Sequence, residues 1–324
     1  MGSGDGSGTV LGHGGNDSDQ NPTTAVARPG DGTLRPPGRP VTLGEGDSVL
    51  CSGTLRTGIS FGERVAAAEA GGFSAISLWG RDYRVARDEG LSDRDVRLLL
   101  ADHGLAVAEL DPSWWWLPGA SDVHIPPELD QERIFAFGER ELFAIAQGVG
   151  ARSLNAVDVF GGSWSLDEAA AAFAGLCERA AEHGLLVHLE FLPWSRIPDL
   201  ATAWQVVSAA DQPNGGIMLD AWHYFRSGPD GALLRTIPGA SILGVQLCDA
   251  PAAPEPEPLH ATLHERLLPG EGGLALRSLV ADLRETGTAA PLGVEVFSDV
   301  LHALDPVEVG RLAGSSLQDL LVPR

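Results

Sequence analysis

From about residue 48 onward, eight short apolar runs alternate with longer segments of helical periodicity, and no other feature constrains the fold as tightly. The runs are VLCSGTL (49–55), SAISL (74–78), AVAEL (106–110), SLNAVDVF (153–160), LVHLEFL (186–192), GIMLDAW (216–222), ILGVQLC (242–248) and LGVEVF (292–297). Between them lie FGERVAAAEAGG, SDRDVRLLLADHG, DQERIFAFGERELFAIAQGVG, SLDEAAAAFAGLCERAAEHG and GGLALRSLVADLRETG, several opening on a Ser or Asp cap and closing at Gly. Strands alternating with helices imply right-handed βαβ units and a parallel sheet. Eight such units in about 275 residues match a (β/α)8 barrel, whose usual size is roughly 250 residues. An open doubly wound sheet is the rival architecture, but no G-x-G-x-x-G follows the first run. The expectation is a single α/β domain, a (β/α)8 TIM barrel, over residues 48–324.

Residues 1–47 differ in kind, being rich in Gly, Ser, Asp, Asn and Pro with almost no large apolar side chain, and they are expected to form a disordered tail. Composition then narrows the chemistry. The 324 residues carry 44 Asp+Glu against 22 Lys+Arg, a formal charge of -22, and every one of those cations is arginine. A chain without lysine has no Schiff-base, pyridoxal-phosphate or P-loop chemistry. So acidic a chain also lacks the field that neutralises phosphates, so nucleic acid is not an expected partner. Cys51, Cys177 and Cys248 are far apart and form no C-x-x-C, which points away from a disulfide framework and toward a reducing, cytoplasmic setting. No run approaches the roughly 20 apolar residues of a membrane span, so no membrane partner is expected.

In a parallel barrel, reactive groups belong at the C-terminal ends of the strands. The second half of the chain places polar groups there in succession: Glu190 in VHLEFLP, Asp220 and His223 in MLDAWHYF, Gln246 and Asp249 in GVQLCDAP, and Glu295 in GVEVFSD. Burying so many ionisable groups in apolar strands is costly unless a cation pairs with them. With no lysine available, a metal is the natural counterion. Three carboxylates with an amide or imidazole form a hard, oxygen-rich set suited to manganese, with magnesium or cobalt as alternatives.

Five motifs carry a resemblance: E-F at Glu190–Phe191, D-x-x-H from Asp220 to His223, Q-x-x-D from Gln246 to Asp249, R-x-x-P-G-x-G from Arg266 to Gly272, and E-V-F-S-D from Glu295 to Asp299. Over about residues 50–320 the chain resembles the xylose-isomerase-like TIM barrels, a superfamily of sugar and keto-acid isomerases and epimerases. The resemblance implies that Glu190, Asp220, Gln246 and Glu295 bind one divalent metal, with the two glutamates as proton-transfer groups. Glutamine at 246, where many sugar epimerases have histidine, looks more like the hydroxypyruvate-isomerase and dehydroshikimate-dehydratase branches. His223, three residues after Asp220, is expected to contact a substrate oxygen or act as an acid.

Around this set, Arg266 is placed to hold a substrate carboxylate or hydroxyl. Glu109, Asp158 and Asp249 are further strand-end candidates, with a capping role for the first two as the plainer alternative. The Pro-rich stretch 250–265 reads as a loop over the site, its His260 and His264 as solvated loop side chains. Three consecutive tryptophans, Trp114 to Trp116, cannot all face a core, and Trp115 is the pocket-lining candidate. With Trp79, Trp194 and Trp222 they predict an aromatic barrel mouth suited to a carbohydrate or cyclic keto substrate. His188 shares the inward face with Glu190 by strand alternation and is expected to be a buried supporter. The leading expectation is a metal-dependent isomerase or epimerase acting through an enediolate. The alternatives are a lyase of the dehydroshikimate- or inosose-dehydratase type, or one cleaving a 3-keto-glycoside, and a non-catalytic metal-bound sugar sensor. A homodimer or homotetramer is expected from the resemblance.

Overall fold

The computed structural model describes residues 1–2, 42–120, 134–159 and 162–322. Among the described residues all the strands lie in the unit Gly32–Arg324. The expected tail, residues 1–47, falls outside the described residues apart from 1–2 and 42–47. Eight parallel strands close into a barrel in sequential order: β1 (Ser48–Leu50), β2 (Ala75–Trp79), β3 (Ala106–Ser113), β4 (Ser153–Val157), β5 (Leu186–Glu190), β6 (Gly215–Asp220), β7 (Ile242–Leu247) and β8 (Leu292–Val294). The helices around them are α1 (Phe61–Gly71), α2 (Gly80–Asp88), α3 (Asp93–Asp102), α4 (Glu139–Val149), α5 (Leu166–Ala181), α6 (Leu200–Ala210), α7 (Ala221–Arg226), α8 (Gly231–Leu234), α9 (Pro258–His264), α10 (Leu276–Thr286), α11 (Asp299–His302) and α12 (Pro306–Leu321). Among the described residues none is long and apolar enough to cross a membrane.

The caps are where the sequence puts them. Ser60, Ser92 and Ser165 each accept from the backbone three residues on, and Glu63, Asp95 and Glu168 reach back to close a capping box. Outward-facing strand residues such as Ile76, Leu154, Leu189, Ile217 and Leu247 are wholly buried beneath the helices. Each contributes roughly 1.5–3 kcal/mol of transfer free energy. Inside the barrel, Val49, Ala75 and Ala108 pack as a small apolar floor, and the polar layer lies above it.

Several boundaries differ from the periodicity. The first run supplies only two strand residues, Val49 and Leu50, because Ser52–Thr54 turns into a 3-10 segment held by side chains: Ser52 N donates to Ser77 Oγ at 2.8 Å and Thr54 Oγ1 to the Val294 carbonyl at 2.8 Å. The last run stops at Val294, so Glu295 stands just beyond its strand. Ala221 and Trp222, expected in a strand, open α7, since the Asp220 carboxylate caps it by accepting from His223 N at 2.8 Å. The helix expected from 130 begins at Glu139, and 130–133 lie outside the described residues. The Pro-rich stretch is not all loop: Pro258 occupies the first turn of α9, where its missing N–H costs nothing.

Candidate active site and metal centre

Strand register brings the predicted acids together. Asp220 on β6 lies opposite Gln246 on β7, Met218 opposite Glu190 on β5, and Val157 on β4 opposite Glu190. The ligand atoms of Glu190, Asp220 and His223 fall within 4.8 Å of one another, and all three residues are buried. Glu295 enters from the β8 side: its Oε2 is 3.8 Å from Arg266 Nη1, which is 2.7 Å from Asp220 Oδ2.

Two residues that the sequence reading passed over complete the layer. Asn155 Nδ2 donates to Asp111 Oδ1 at 3.0 Å and to Glu190 Oε2 at 2.6 Å, and Trp79 Nε1 donates to Asp111 Oδ2 at 3.3 Å. The signal for Asp111 was its period-two spacing from Glu109 in E-L-D, which sends both side chains inward. Asn155 was visible only as one amide inside an apolar run.

The electrostatics are those of an anionic pocket with one cation. Burial first, then repulsion from Asp111 and Asp220, holds the Glu190 carboxyl well above the ordinary carboxylate range. Glu295 is raised likewise by burial, with partial relief from Arg266. Burial raises Asp111 to about 6 against the opposing hydrogen bonds of Asn155 and Trp79, and raises Glu109 to about 8. Of these carboxyls Asp220 moves down: burial pushes it up, but the Arg266 charge, with the hydrogen bonds from the His223 backbone N–H and Arg266, outweighs it. The His223 imidazole is pushed down to about 4, chiefly by burial, and is neutral near pH 7.

The residues fit a divalent cation. Gln246 Oε1 and Glu295 Oε1 are buried acceptors with no hydrogen-bond donor, an arrangement that costs about 1–3 kcal/mol per atom unless something electropositive meets them. Glu190 and Asp220 offer two carboxylates beside them, and Gln246 a neutral oxygen. His223 stands inside the same cluster, so an imidazole nitrogen joins the predicted set as a further candidate ligand.

Other expectations are redistributed. Arg266 is buried and fully committed: Nε donates to the Thr262 carbonyl at 2.9 Å, Nη2 to Thr262 Oγ1 at 2.8 Å and toward His223 Nε2 at 3.5 Å, and Nη1 to Asp220 and toward Cys248 Sγ at 3.7 Å. All five N–H groups thus face protein acceptors, and the substrate clamp expected of it has no donor left over. Asp249 is occupied in the same way, accepting from Ala250 N, Leu274 N and Gly270 N at 2.9–3.0 Å. This explains the P-G-x-G glycines: Gly270 has φ +92°, and a Cβ on Gly272 would lie 2.4 Å from Asp249 Oδ1. Glu109 lies below the acids, beside Gln246 and Cys51, and Asp158 caps the next loop by accepting from Arg196 N at 3.1 Å. His188 is wholly buried with Nε2 2.7 Å from Ser153 Oγ.

The aromatic mouth is narrower than expected. Trp222 is fully buried, with the Arg266 guanidinium 5.8 Å from its ring centroid. Trp114 and Trp116 are also buried, Trp116 donating to the Val157 carbonyl at 2.9 Å, while Trp115 is partly exposed and packs tilted against Trp114, ring centroids 3.9 Å apart. Trp194, 40% exposed, sets its ring edge-on to His223 at 5.4 Å. His260 and His264 stack on each other at 4.6 Å on the exposed side of α9.

A family model described as xylose isomerase-like TIM barrel matches residues 65–316. The chain is 31% identical over 261 residues to the 3-dehydroshikimate dehydratase of Pseudomonas aeruginosa, a match covering 79% of this chain and 38% of that protein. It thus spans well under half the length of that relative. It is 25% identical over 149 residues to the inosose isomerase of Bacillus subtilis, covering 45% of this chain and 52% of that one. Among solved structures, a xylose isomerase-like TIM barrel/4-hydroxyphenylpyruvate dioxygenase fusion protein superposes with a TM-score of 0.71 at 26% identity, over 85% of this chain and 42% of the other.

Proposed function

Because the chain belongs to the xylose isomerase-like TIM barrel family, we propose that it is a divalent-metal-dependent lyase that dehydrates a cyclic β-hydroxy ketone of the 3-dehydroshikimate class. The observation that carries this reading is the dehydratase similarity, which covers 79% of the chain at 31% identity, against 45% of the chain at 25% identity for the inosose isomerase. It reverses the order expected from the sequence, where isomerisation led and dehydration stood second.

Glu190, Asp220, Gln246 and Glu295 would hold the ion, with His223 at its edge. The ion, when bound, supplies Lewis-acid polarisation of the substrate carbonyl, which acidifies the adjacent C–H, and it offsets the packed carboxylates. Manganese is the first metal to try, on the oxygen-rich donor set. His223 does the proton work. We assign the ring proton to Nδ1; the Nε2 lone pair then faces Arg266 Nη2 across a long 3.5 Å contact, which the substrate displaces so that Nε2 takes the proton from the carbon beside the carbonyl. The resulting imidazolium, whose pKa burial lowers, is a strong acid and hands that proton to the β-hydroxyl. The C–O bond breaks, water leaves, a C–C double bond forms between the α and β carbons, and His223 ends neutral. Trp194 walls the ring on one side.

Isomerisation of an inosose-like ketone is the second reading, favoured by the Bacillus subtilis match. Glu190 and Glu295 would then remove and return the proton. To separate the two, the Mn²⁺-loaded chain is incubated in D₂O with 3-dehydroshikimate and with an inosose and followed by NMR. The dehydration reading expects loss of the α-C–H and appearance of an alkene or aromatic product. Deuterium at the α-carbon of the inosose with the hydroxyls retained selects isomerisation. Neither product nor exchange from either substrate sinks both.

A further inference from the structure

Resting on the divalent-cation reading above, we propose that Glu109 is a positioning residue that decides which end of the Gln246 amide faces the ion. An amide is nearly symmetric in shape, and a half turn of its last torsion exchanges oxygen for nitrogen, so only hydrogen bonds select the orientation. Gln246 Nε2 donates to Glu109 Oε1 at 3.4 Å, while Gln246 Oε1 is buried with no donor. Glu109 Oε1 therefore claims the N–H₂ and leaves the oxygen, the only amide atom that can ligate a cation.

The surroundings hold Glu109 in that role. Its Oε1 also faces the Cys51 thiol, with Sγ at 4.0 Å. A Cβ on Gly293 would stand 2.7 Å from Cys51 Sγ and 3.6 Å from Gln246 Cγ, so the glycine on β8 leaves room for both. Cys51 follows β1, Glu109 is on β3 and Gln246 on β7; none of these strands pairs with another of the three, so the contacts cross the barrel interior. A carboxyl 3% exposed above an apolar floor is expensive to bury, and the Arg152 charge and the Gln246 contact together offset part of that cost. A histidine at 246 would present a ring nitrogen and need no such selection, so Glu109 belongs with the glutamine.

The test is a Mn²⁺ titration of the chelated full chain by calorimetry, with electron paramagnetic resonance counting free ion, for the native protein, Glu109→Leu, Glu109→Gln, Gln246→Glu and the swapped double variant Glu109→Gln/Gln246→Glu. Removing the acceptor in Glu109→Leu is expected to weaken binding by ~10–100-fold, the usual cost of losing a group that orients a ligand. Glu109→Gln, whose carbonyl still accepts, binds as the native chain does. Gln246→Glu sets two acceptors against each other, and the swap restores a donor facing an acceptor, so the swapped chain binds more tightly than Gln246→Glu alone even though it carries one negative charge fewer. If Glu109→Leu does not fold, that last comparison decides. Equal affinity of Glu109→Leu and native protein, or a swap no tighter than Gln246→Glu, overturns the proposal and leaves the cation site standing. A native chain that binds no Mn²⁺ overturns both.

Discussion

His223 can serve as base and then acid because of where the chain puts it: the first turn of α7, three residues past the aspartate that caps that helix, with its ring buried between Glu190 at 3.5 Å and the Arg266 guanidinium. Replacing it by Asn keeps the cap, which uses only the backbone N–H. His223→Asn is therefore expected to fold, to lower kcat by ~10²–10⁴-fold as the loss of a general acid–base group does, and to keep its metal. Stopped-flow turnover beside a Mn²⁺ titration checks this, and loss of the ion along with turnover would make His223 a ligand first. At this scale the sequence was most legible where a polar residue interrupted an apolar run, as with Glu190, Asp220, Gln246 and Glu295. It was least legible where a residue's partner lies far along the chain. Arg266 sits near the site as its motif implied, but Thr262, four residues back on α9, and Asp220 absorb its donors, and no spacing rule announces a saturated guanidinium.

Among the described elements, the first and last long helices pack backbone against backbone. Cβ atoms on Gly310 and Gly314 of α12 would each lie 2.0 Å from a backbone carbonyl of α1, those of Ala67 and Gly71. The helices meet there without intervening side chains, and the contact joins the two ends of the barrel. Gly314→Ala is expected to destabilise by ~1–3 kcal/mol, because the backbone it meets cannot swing aside. Gly62, also in α1, faces open space, and Gly62→Ala should stabilise by ~0.5–1 kcal/mol through helix propensity alone. Urea denaturation of the two variants reads both signs, and equal effects would mean that the α1–α12 contact is looser than drawn. Element type was legible from periodicity because each strand is a short run between capped helices. Lengths were not. β1 and β8 end early because hydrogen bonds of Thr54 and Ser52 replace the ladder there, and α9 hides inside a Pro-rich stretch because proline favours loops and helix first turns alike.

Across the whole molecule, the buried acids of the site set the pH dependence of stability. Glu109 and Asp111 are raised to about 8 and about 6, so the stability they allow is fully present below their unfolded values and is lost as pH rises through those numbers. His223, lowered to about 4, works in the opposite sense, its share complete above its unfolded value of about 6.5. Between pH ~6.5 and ~8 only the acids change, so the chelated chain should lose stability across that window, whereas a bound divalent ion should flatten the slope and, at a hundredfold excess over Kd, add ~2.7 kcal/mol. Melting curves with and without Mn²⁺ at the two pH values read this directly. A chelated chain that grows more stable over the window contradicts the acid cluster. The dehydration is read by mass analysis of 3-dehydroshikimate after incubation with the chelated chain before and after Mn²⁺ is restored. The expected result is a product lighter by one water, formed only with the metal and lost in Glu295→Gln. Unchanged substrate with the metal restored, or an isomer of unchanged mass, would contradict it.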